Sequence, residues 1–389
     1  MFINTNNKIP KFAFFYLIVF ISLSIPYAYM QTFLDYVGYD VIERGYILSG
    51  SAIVAIIGQF VTGYICDRYK TDKKPFNVLI ILMAISTVTM YYITEELFYF
   101  HLIFISLMSG LFRTVLAVQD TWTLEVDDNC KNNYGFIRAF GAIGWMIGSL
   151  AGGVLLETYG YNMLGYIFGV LTIITVLYTK FIPDAFKVET EDNITFKDVV
   201  NLFKSRRYFL IVMIFLFINI VATADMYTTV DKMLDLNAGE STIGLRWSIQ
   251  AFVELPLFFL GGYLLKKFGD YKLMLFGTLM YVIRFILYSV ANTPELMIMV
   301  TCLQFCTYPL IMITSKTLID SVTPIELRAS GQNIASSIYI GLPLLITPIL
   351  AGYIISFTSI NMTLLIFGLI GIIPLIMGGY IYIKEKEGA

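Results

Sequence analysis

The sequence predicts an all-α membrane protein with twelve transmembrane helices in two pseudo-symmetric six-helix bundles. The first observation is composition, since 58% of the 389 residues are hydrophobic and only 14% are charged. Soluble domains carry about 25% charged residues, so this chain has too few charges to cover a surface that faces water. The second observation is length, because twelve apolar runs reach the roughly 20 residues that cross a hydrocarbon layer of about 30 Å. The third is an internal repeat between the two halves.

The twelve spans read as helices and not as barrel strands. A barrel would show segments of about ten residues with alternating polarity, and no such pattern occurs. The first span follows Lys8 and Lys11, as a signal peptide would. It is too long for one and no small-residue cleavage site ends it, so we expect it to be retained. The predicted spans are 12–34, 45–66, 76–94, 98–124, 134–156, 162–182, 208–230, 243–265, 272–292, 295–319, 329–356 and 361–383.

The distribution of Lys and Arg predicts which ends of the spans face the cytoplasm. These residues concentrate before residue 12, at 68–74, around 131, across 180–207, at 266–272, at 328 and after 383. The opposite loops carry Arg44 and Lys232 among several acids. By the positive-inside rule, both termini and the central segment are cytoplasmic. We therefore expect a multi-pass protein of a bacterial cytoplasmic membrane, with His101 exposed at the outer end of the fourth span.

One long polar stretch, 183–206, divides the chain into an N-terminal bundle, 1–182, and a C-terminal bundle, 207–389, and forms a cytoplasmic central loop. The two halves resemble each other. "TGYICDRY" (62–69) aligns with "GGYLLKKF" (261–268) at an offset of 199, and "LAGG" (150–153) aligns with "LAGY" (350–353) at an offset of 200. Two matches at nearly one offset indicate duplication. Parallel six-span repeats that bind a solute between them near the midplane are typical of one large class of secondary transporters.

Composition also argues against several other classes of protein. A net charge of -2 lacks the basic excess of a nucleic-acid binder, so no nucleic acid is expected as a partner. Four cysteines without metal-type spacing and a single histidine predict neither a disulfide framework nor a metal site. No soluble domain and no nucleophile with a matching base is evident, so neither an enzyme nor a receptor is expected, and no cofactor.

Charged residues within the predicted spans are candidates for function. A charge at bilayer depth costs about 2.5–3.5 kcal/mol on insertion scales, so each is by default functional or paired. We interpret Glu125 and Asp320 as hydrated residues at the cytoplasmic ends, and Lys316 as reaching the same interface. The residues singled out are Arg113, Asp120, Glu125, Arg138, Asp225, Glu254, Arg284, Lys316 and Asp320.

Three predicted helix faces combine polar and aromatic side chains, and the deepest charges lie on or near them. A carboxylate, an amide and a flat aromatic ring together suit a polyhydroxyl ring, because the ring stacks on its apolar face while donors and acceptors bind its hydroxyls. A sugar-like solute is therefore predicted, with Asp120 on the fourth span as a further contact. Trp247 is interpreted as an interfacial residue. The faces carry Ser24, Tyr27 and Gln31, then Arg138, Trp145 and Ser149, and then Trp247, Gln250 and Glu254.

The stretch "VTGYICDRYKTDKK" (61–74) resembles a loop signature of the major facilitator superfamily, Gly-x-x-x-Asp-Arg followed by basic residues. The resemblance implies that Gly63 permits close helix approach and that Asp67 and Arg68 help to hold one of two transport states. Lys70 stands where the motif has a second Gly. The repeat of this motif in the second half has Lys266 in place of the Asp, so any Asp-dependent latch is expected in the first half only.

A closer resemblance is to the oligosaccharide:proton symporter branch, typified by lactose permease, and to the related nucleoside and phenylpropionate permeases. It rests on "YGFIRAFGAIGW" (134–145), "VELPLFF" (253–259) and "MYVIRF" (280–285). It implies that Arg138 pairs with Asp120, that Trp145 stacks on the sugar ring and that Glu254 binds sugar hydroxyls. Arg284 matches an Arg of that branch, and Asp225 lies near the position of its seventh-span Asp.

One departure affects proton coupling. "LQFCTYP" (303–309) has Gln304 and Thr307 where that branch has a His and the Glu that carries the proton. Coupling would therefore rest on other groups, and the candidates are Asp120, Asp225 and Glu254, with Arg284 as a partner that lowers the pKa of an approaching carboxyl. The predicted substrate contacts are Tyr27, Gln31, Asp120, Arg138, Trp145, Gln250, Glu254 and Gln304.

The sequence thus predicts a secondary transporter that moves a small polar solute by alternating access. A sugar or glycoside with proton symport is the main expectation, with the solute, protons and the lipid bilayer as partners of a monomeric protein. A nucleoside or aromatic-acid permease, an uncoupled uniporter and an efflux transporter of the same fold remain open as alternatives.

Overall fold

The computed structural model describes residues 8–185, 202, 204–324 and 327–387, without the side chains of 258, 329, 330 and 385–387. All regular structure in these residues is helical, which confirms the predicted fold class. Eleven helices are long and apolar enough to cross a membrane, and a bent helix supplies a twelfth. They are α1 (Ile9–Val37), α2 (Val41–Tyr69), α3 (Lys73–Tyr92), α4 (Phe98–Glu125), α5 (Tyr134–Tyr159), α6 (Tyr161–Phe181), α7 (Arg206–Asp235), α8 (Glu240–Phe268), α9 (Asp270–Val290), α10 (Pro294–Val322), α11 (Gly331–Phe357) and α12 (Ile360–Lys384). Each predicted span coincides with one helix to within a few residues.

In α8 and α1, the helix is bent or interrupted close to a proline, which removes a backbone donor. The two parts of α8, Glu240–Leu257 and Phe259–Phe268, meet at 57°, directly after Pro256. Proline has no N–H and its ring clashes with the carbonyl one turn earlier, so a kink is expected there. In α1 the helix is interrupted at Tyr29, and the carbonyl of Pro26 accepts a hydrogen bond from the Tyr91 hydroxyl at 2.6 Å. A neighbouring helix thus satisfies a backbone group at the break.

The internal repeat is visible in the helix bounds. α2 and α8 each contain 29 residues, and α8 begins and ends 199 residues after α2. The residue after each helix has a positive φ, 50° at Lys70 and 78° at Gly269. Lys70 lies in the left-handed region, with φ 50° and ψ 43°, whereas Gly269 combines φ 78° with ψ 158°. Glycine adopts either conformation without strain. The offset found in the sequence therefore extends to the backbone at both helix ends.

The chain packs into two compact units. Unit one contains Met1–Glu189 and Ala238–Phe258, and unit two contains Thr190–Asn237 and Phe259–Ala389. The first part of α8 thus packs with the N-terminal helices. The division of the chain at 182 and 207 into two bundles stays a prediction.

In unit one, α1 and α5 approach closely because α5 has glycine at the contact. A Cβ atom at Gly144 would lie 2.5 Å from the carbonyl oxygen of Leu17, and one at Gly148 would lie 2.5 Å from that of Ile21. Both distances are too short for any side chain. The small residues allow backbone contact between membrane helices, where packing and not a hydrophobic driving force holds helices together.

The beginning of α8 is held on α5 and α6 by hydrogen bonds within unit one. Oε1 of Glu157 accepts from the backbone N–H and the hydroxyl of Ser241, both at 2.8 Å. The Tyr161 hydroxyl donates to Oε1 of Glu240 at 2.7 Å. These contacts lie at the ends of the helices that the charge distribution predicts to be extracellular.

His101 and Arg44, both expected at the outer surface, are buried. The expectation that His101 is exposed is wrong: its Nδ1 and the Tyr39 hydroxyl are 2.8 Å apart, and its Nε2 is 3.0 Å from the carbonyl oxygen of Ile93. Arg44 is also buried and donates from Nη1 to Asp35 at 2.6 Å. Polar partners from the loop ends compensate the burial of both side chains.

Candidate functional site

Arg284, on α9, is the centre of a fully buried polar cluster in unit two. Its Nη2 atom lies 3.0 Å from Oδ2 of Asp225 on α7. Its Nε and Nη2 atoms donate to the Tyr288 hydroxyl at 3.1 and 2.9 Å. Its Nη1 atom donates to Oγ1 of Thr307 at 3.1 Å and to Oε1 of Gln304. We call these five residues the Arg284 cluster. One carboxylate and three neutral side chains therefore accept from one buried cation.

The local structure of α10 explains how two of these acceptors reach Arg284. Residues Cys302–Cys306 form a 3₁₀ helix, and the α-helix resumes at Tyr308. Pro309 forces this change because it cannot donate to the carbonyl of Phe305 and would clash with it. Residues three apart are eclipsed in a 3₁₀ turn, so Gln304 and Thr307 lie on one face of α10.

The structure brings together four residues that the sequence places on three different spans. Asp225, Arg284, Gln304 and Thr307 are neighbours, and each is buried. Gln304 was predicted as a substrate contact, and in this structure its side-chain oxygen accepts from Arg284. The sequence analysis did not name Tyr288, although it lies four residues after Arg284, where the α-helical period places it on the same face.

Asp120, on α4, belongs to a second polar group in unit one. The Tyr16 hydroxyl on α1 donates to its Oδ1 atom at 2.6 Å, and Thr123 donates to the Tyr16 hydroxyl at 3.3 Å. Tyr134, at the start of α5, is a further hydrogen-bonding neighbour of the carboxyl. Asp120 is half-buried, and hydroxyl groups donate hydrogen bonds to its carboxylate at the edge of a packed region. Tyr16 is a residue that the sequence analysis missed.

Arg138, on α5, lies over the ring of Phe20 with its guanidinium carbon 4.4 Å from the ring centroid. This cation–π contact fixes the side chain toward α1. The pairing of Arg138 with Asp120 that the family resemblance implies stays a prediction.

An aromatic group surrounds Trp145 in unit one. The Trp145 ring centroid lies 5.9 Å from that of Tyr27, 5.9 Å from that of Phe112 and 6.3 Å from that of Trp247. Tyr27 and Phe112 stack at 4.1 Å. We call these four residues the Trp145 cluster. Trp145 itself is half-buried, so part of a flat ring remains accessible among other rings.

Two polar atoms of α8 are buried without a hydrogen-bond partner among the described residues, one in the Trp145 cluster and one three residues after it. They are Oε1 of Gln250 and Nε1 of Trp247, both on α8. Most buried polar atoms in proteins are satisfied, so such atoms call for an explanation. An acceptor and a donor that lie three residues apart on one helix, beside stacked rings, are able to bind a hydroxylated ligand.

The structure corrects the interpretation of Trp247 and adds Arg246. Trp247 is not an interfacial residue, because only 6% of its surface is exposed and it packs on Trp145. Arg246 is fully buried, and its guanidinium carbon lies 4.6 Å from the centroid of the Trp247 ring. The sequence analysis did not count Arg246 among the charges within the spans. Its position directly before Trp247 was the available signal.

Two further residues that were predicted to contact the substrate, Gln31 and Glu254, also lie in unit one. Gln31 is buried on α1, and Glu254 is half-buried on α8, one turn after Gln250. Arg113 donates to the Tyr27 hydroxyl at 3.5 Å, so a second cation lies near the Trp145 cluster. Solute binding by these side chains stays a prediction.

The predicted gating motif lies at the end of α2. Nη1 of Arg68 donates to the Tyr64 hydroxyl at 2.6 Å, one turn earlier, and Asp67 is exposed. Gly63 is also exposed, and a Cβ atom there would meet no described atom within 4 Å. The close helix approach expected at Gly63 stays a prediction. The latch function of Asp67 and Arg68 stays a prediction.

These observations define a class of protein. Twelve apolar helices carry a buried ion pair and a half-buried surface of aromatic and polar side chains. The described residues contain no group of His, Cys, Asp and Glu that could hold a metal ion. These features are typical of a multi-pass membrane transporter.

The family follows from comparison with known proteins. Residues 9–366 match the MFS_1 like family, so the chain belongs to it. The chain is 22% identical to the maltose permease of Geobacillus stearothermophilus, over 94% of this chain and 92% of that protein. It is 24% identical to the putative nucleoside transporter YegT of Escherichia coli (strain K12), over 76% of this chain and 72% of that protein.

Solved structures share the fold. A crystal structure of a mutant of the nucleoside transporter NupG superposes with a TM-score of 0.85 at 16% identity, over 96% of this chain and 99% of that chain. A bacterial homologue of the human lysosomal transporter Spinster, in an inward-facing and unoccupied conformation, gives a TM-score of 0.74 at 12% identity, over 95% of both chains. The protein is thus a transporter of a small polar solute with the major facilitator fold.

Proposed function

We propose that the protein is a proton-coupled symporter of a sugar or glycoside in a bacterial cytoplasmic membrane, with both termini cytoplasmic. The observation that carries the proposal is the pair of unsatisfied atoms, Gln250 Oε1 and Trp247 Nε1, beside the half-buried ring of Trp145. A sugar ring stacks one apolar face on an aromatic side chain and offers hydroxyls that both donate and accept. The maltose permease relative supports this choice of solute.

The remaining substrate contacts in this proposal surround the same surface. Glu254 follows Gln250 by one turn and supplies a carboxylate for two hydroxyls. Tyr27 contributes a ring and a hydroxyl, and Asp120 and Arg138 supply charges from α4 and α5. Gln31 completes the set of contacts on α1.

Coupling in this proposal rests on Asp225. Gln304 and Thr307 cannot carry a proton, and Asp225 is the carboxylate that contacts the buried Arg284. Neutralising Asp225 leaves Arg284 with the oxygen atoms of Tyr288, Gln304 and Thr307, so the cation keeps several acceptors in the protonated state. These neutral acceptors offset part of the cost of leaving the guanidinium without its counter-charge. Asp120 and Glu254 are the other candidates for the proton carrier.

Alternating access in this proposal uses two six-helix bundles, 1–182 and 207–389, joined by the cytoplasmic loop 183–206. Part of that loop lies outside the described residues. Asp67 and Arg68, with Gly63, help to hold one of the two states at the cytoplasmic end of α2. The protein acts as a monomer without a cofactor and catalyses no chemical reaction.

A nucleoside is the second candidate solute. It presents ribose hydroxyls and a flat base, and the T-shaped contact of Trp145 with Trp247 offers a face for such a base. The relative YegT, described as a putative nucleoside transporter, favours this alternative.

Uptake into proteoliposomes tests the proposal. Purified protein would be supplied with labelled sugars, glycosides and nucleosides, with and without an imposed pH gradient. Saturable uptake of a sugar or glycoside that the gradient accelerates supports the proposal. Saturable nucleoside uptake would replace the solute, and uptake that ignores the gradient would remove the coupling. Empty liposomes and liposomes with the Trp145→Ala variant are the controls.

A further inference from the structure

A basic cavity of about 440 Å³ lies at one end of unit one. Lys8 and Lys11 at the start of α1, Lys73 at the start of α3 and Lys180 in the last turn of α6 line it, together with Phe181. The proposed function uses none of these residues. Four like charges around one cavity repel each other, and an anion in the cavity would offset that repulsion.

Two of the four lysines are fixed in place. Nζ of Lys8 lies 3.2 Å from Oδ2 of Asp127 and donates to the carbonyl of Val126 at 3.3 Å. Lys73 donates from Nζ to the carbonyl of Ile182. Lys11 and Lys180 are exposed at the rim of the cavity. The site thus combines a rigid floor with two cations that are accessible to a ligand.

The two carboxylates that border this region are already engaged. Although burial raises the pKa of Asp127, hydrogen bonds from Cys130 and from Lys8 outweigh it and hold that pKa below its ordinary value. Asp184 accepts from the backbone N–H groups of Asp72 and Lys73 at 3.1 and 3.2 Å. The lysines outnumber these two acids, so the cavity retains an excess of positive charge.

Exposed aromatic rings adjoin the lysines and indicate what kind of anion fits. Phe14 and Phe181 are 47% and 70% exposed. The ring of Tyr178 links them, with centroid distances of 5.2 Å to Phe14 and 6.2 Å to Phe181. The Tyr178 hydroxyl donates to the backbone carbonyl of Lys11 at 3.2 Å. A free phosphate has no apolar part that would contact these rings, whereas the acyl chains of a lipid would pack against them.

Unit two carries a similar cavity at the corresponding helix ends. Its volume is about 320 Å³, and it is lined by Arg206 and Arg207 at the start of α7 and by Tyr380 and Lys384 near the end of α12. The Lys384 ammonium lies 4.8 Å from the centroid of the exposed Tyr380 ring. α7 and α12 are the repeats of α1 and α6, so cations beside exposed aromatic rings recur at equivalent positions.

We propose that each unit holds one anionic phospholipid at these ends, with the lipid phosphate among the basic side chains and the acyl chains on the exposed rings. Both cavities lie where the charge distribution predicts the cytoplasmic surface, the leaflet that presents anionic lipids. Basic pockets between transmembrane helices on that side suit anionic head groups. The proposal does not depend on the identity of the transported solute.

Native mass spectrometry of the full chain tests this inference. Purified protein would be titrated with phosphatidylglycerol or phosphatidylcholine. The wild type should retain two phosphatidylglycerol molecules in preference to phosphatidylcholine. Lys11→Gln with Lys180→Gln should reduce the tightly bound number to one, since affinity falls about fivefold for each lysine removed. The matched control is Lys74→Gln with Lys131→Gln, which removes two exposed charges near the same helix ends that do not line the cavity.

Each alternative outcome overturns the proposal. These outcomes are equal binding of the two lipids by the wild type, two bound lipids in the cavity variant, or an equal loss in the control. Displacement of the lipid by inorganic phosphate would identify a site for free anions instead. If the cavity variant does not fold, the wild type still decides, because its preference for phosphatidylglycerol should weaken at high salt. A preference that salt leaves unchanged would contradict the proposal.

Discussion

Arg284 shows at the residue scale how this protein accommodates a buried charge. Removing an ion from water costs several kcal/mol even after relaxation. Asp225 supplies the opposite charge at 3.0 Å, and the hydroxyl of Tyr288 accepts from two of the guanidinium nitrogens. One carboxylate and three neutral oxygen atoms therefore share the cost of burying this cation.

The Asp225–Arg284 pair gives the first prediction. Asp225→Asn leaves a buried cation without its counter-charge, and we expect a loss of about 3–5 kcal/mol in unfolding free energy. The double variant Asp225→Leu with Arg284→Met should be more stable than Asp225→Asn, because neither charge remains. Thermal unfolding in detergent measures both effects. A double variant that is less stable than the single variant would show that the pair does not act as a unit.

The same pair separates coupling from transport. In proteoliposomes, Asp225→Asn should lose acceleration by a pH gradient and keep exchange of labelled for unlabelled solute, since exchange needs no net proton movement. Asp320→Asn, on α10 and outside the Arg284 cluster, is the matched control. Retained acceleration in Asp225→Asn would transfer the coupling role to Asp120 or Glu254.

Gln250 gives a prediction in which stability and function change in opposite directions. Its buried Oε1 atom has no hydrogen-bond partner among the described residues, and an unsatisfied buried group costs about 1–3 kcal/mol. Gln250→Met keeps the volume and removes that cost, so the variant should unfold at a higher temperature. Its affinity for the solute should fall. A variant that loses stability would show that the amide is satisfied in the protein and would remove it from the proposed site.

The residue scale also shows what the sequence was able to indicate about the site. Asp225 and Arg284 were found because a charge inside an apolar span stands out in one dimension. Tyr16 and Tyr288 were not found, because a tyrosine inside a span is ordinary until its hydroxyl has a partner. Such a partner comes from another helix, as with Asp120, or from another turn, as with Arg284.

At the scale of single elements, the end of α2 illustrates a local conflict. Lys70 adopts φ 50°, which costs an L-residue roughly 1 kcal/mol or more, and Gly269 occupies the same position in the repeat. Helix α2 nevertheless begins with a capping box, in which Oδ1 of Asp40 accepts from the N–H groups of Ile42 and Glu43 at 2.8 Å. Strong capping at one end thus accompanies strain at the other.

Substitutions at Lys70 test this strain. Lys70→Gly removes it but increases the entropy of the unfolded chain, so stability should stay within about 0.5 kcal/mol of the wild type. Lys70→Val should lower stability by about 1 kcal/mol or more, because a β-branched residue is disfavoured at positive φ. Gly269→Val is the matched variant in the repeat and should behave in the same way. Equal unfolding temperatures for all three variants would contradict a left-handed Lys70.

At the scale of the whole molecule, α8 is a helix that belongs partly to unit one and partly to unit two. Its first part packs in unit one, and its last part, from Phe259, packs in unit two. The kink after Pro256 lies at that boundary. In the proposed bundles 1–182 and 207–389, α5 and α8 belong to different bundles, so we expect the contacts that hold the beginning of α8 on α5 to open when the bundles part at that end.

A reversible cross-link at this contact tests that requirement. Glu157→Cys with Ser241→Cys, joined through two disulfides by a short bis-methanethiosulfonate reagent, should stop uptake, and a reductant that cleaves these disulfides should restore it. The natural Cys302 and Cys306 would be replaced by Ser, because they are not buried. Each single cysteine variant treated in the same way is a control. Full uptake by the cross-linked protein would mean that α8 stays on α5 throughout the cycle.

The sequence by itself determined the helical membrane fold, the twelve spans and the repeat. These depend on composition, on run length and on a constant offset, which are all properties of a one-dimensional chain. The loop motif at 61–74 also indicated the superfamily, and the family match over residues 9–366 agrees with it.

The tertiary structure alone decided which polar residues meet. In the structure, Gln304 and Thr307 accept hydrogen bonds from Arg284. Trp247, predicted at the membrane interface, contacts Trp145, and four lysines from three helices line one cavity. The physical reason is that hydrogen bonds, ring contacts and repulsion act over a few ångströms between helices. The helical period within one span determines which face a residue lies on, whereas the packing of neighbouring helices determines what that face contacts.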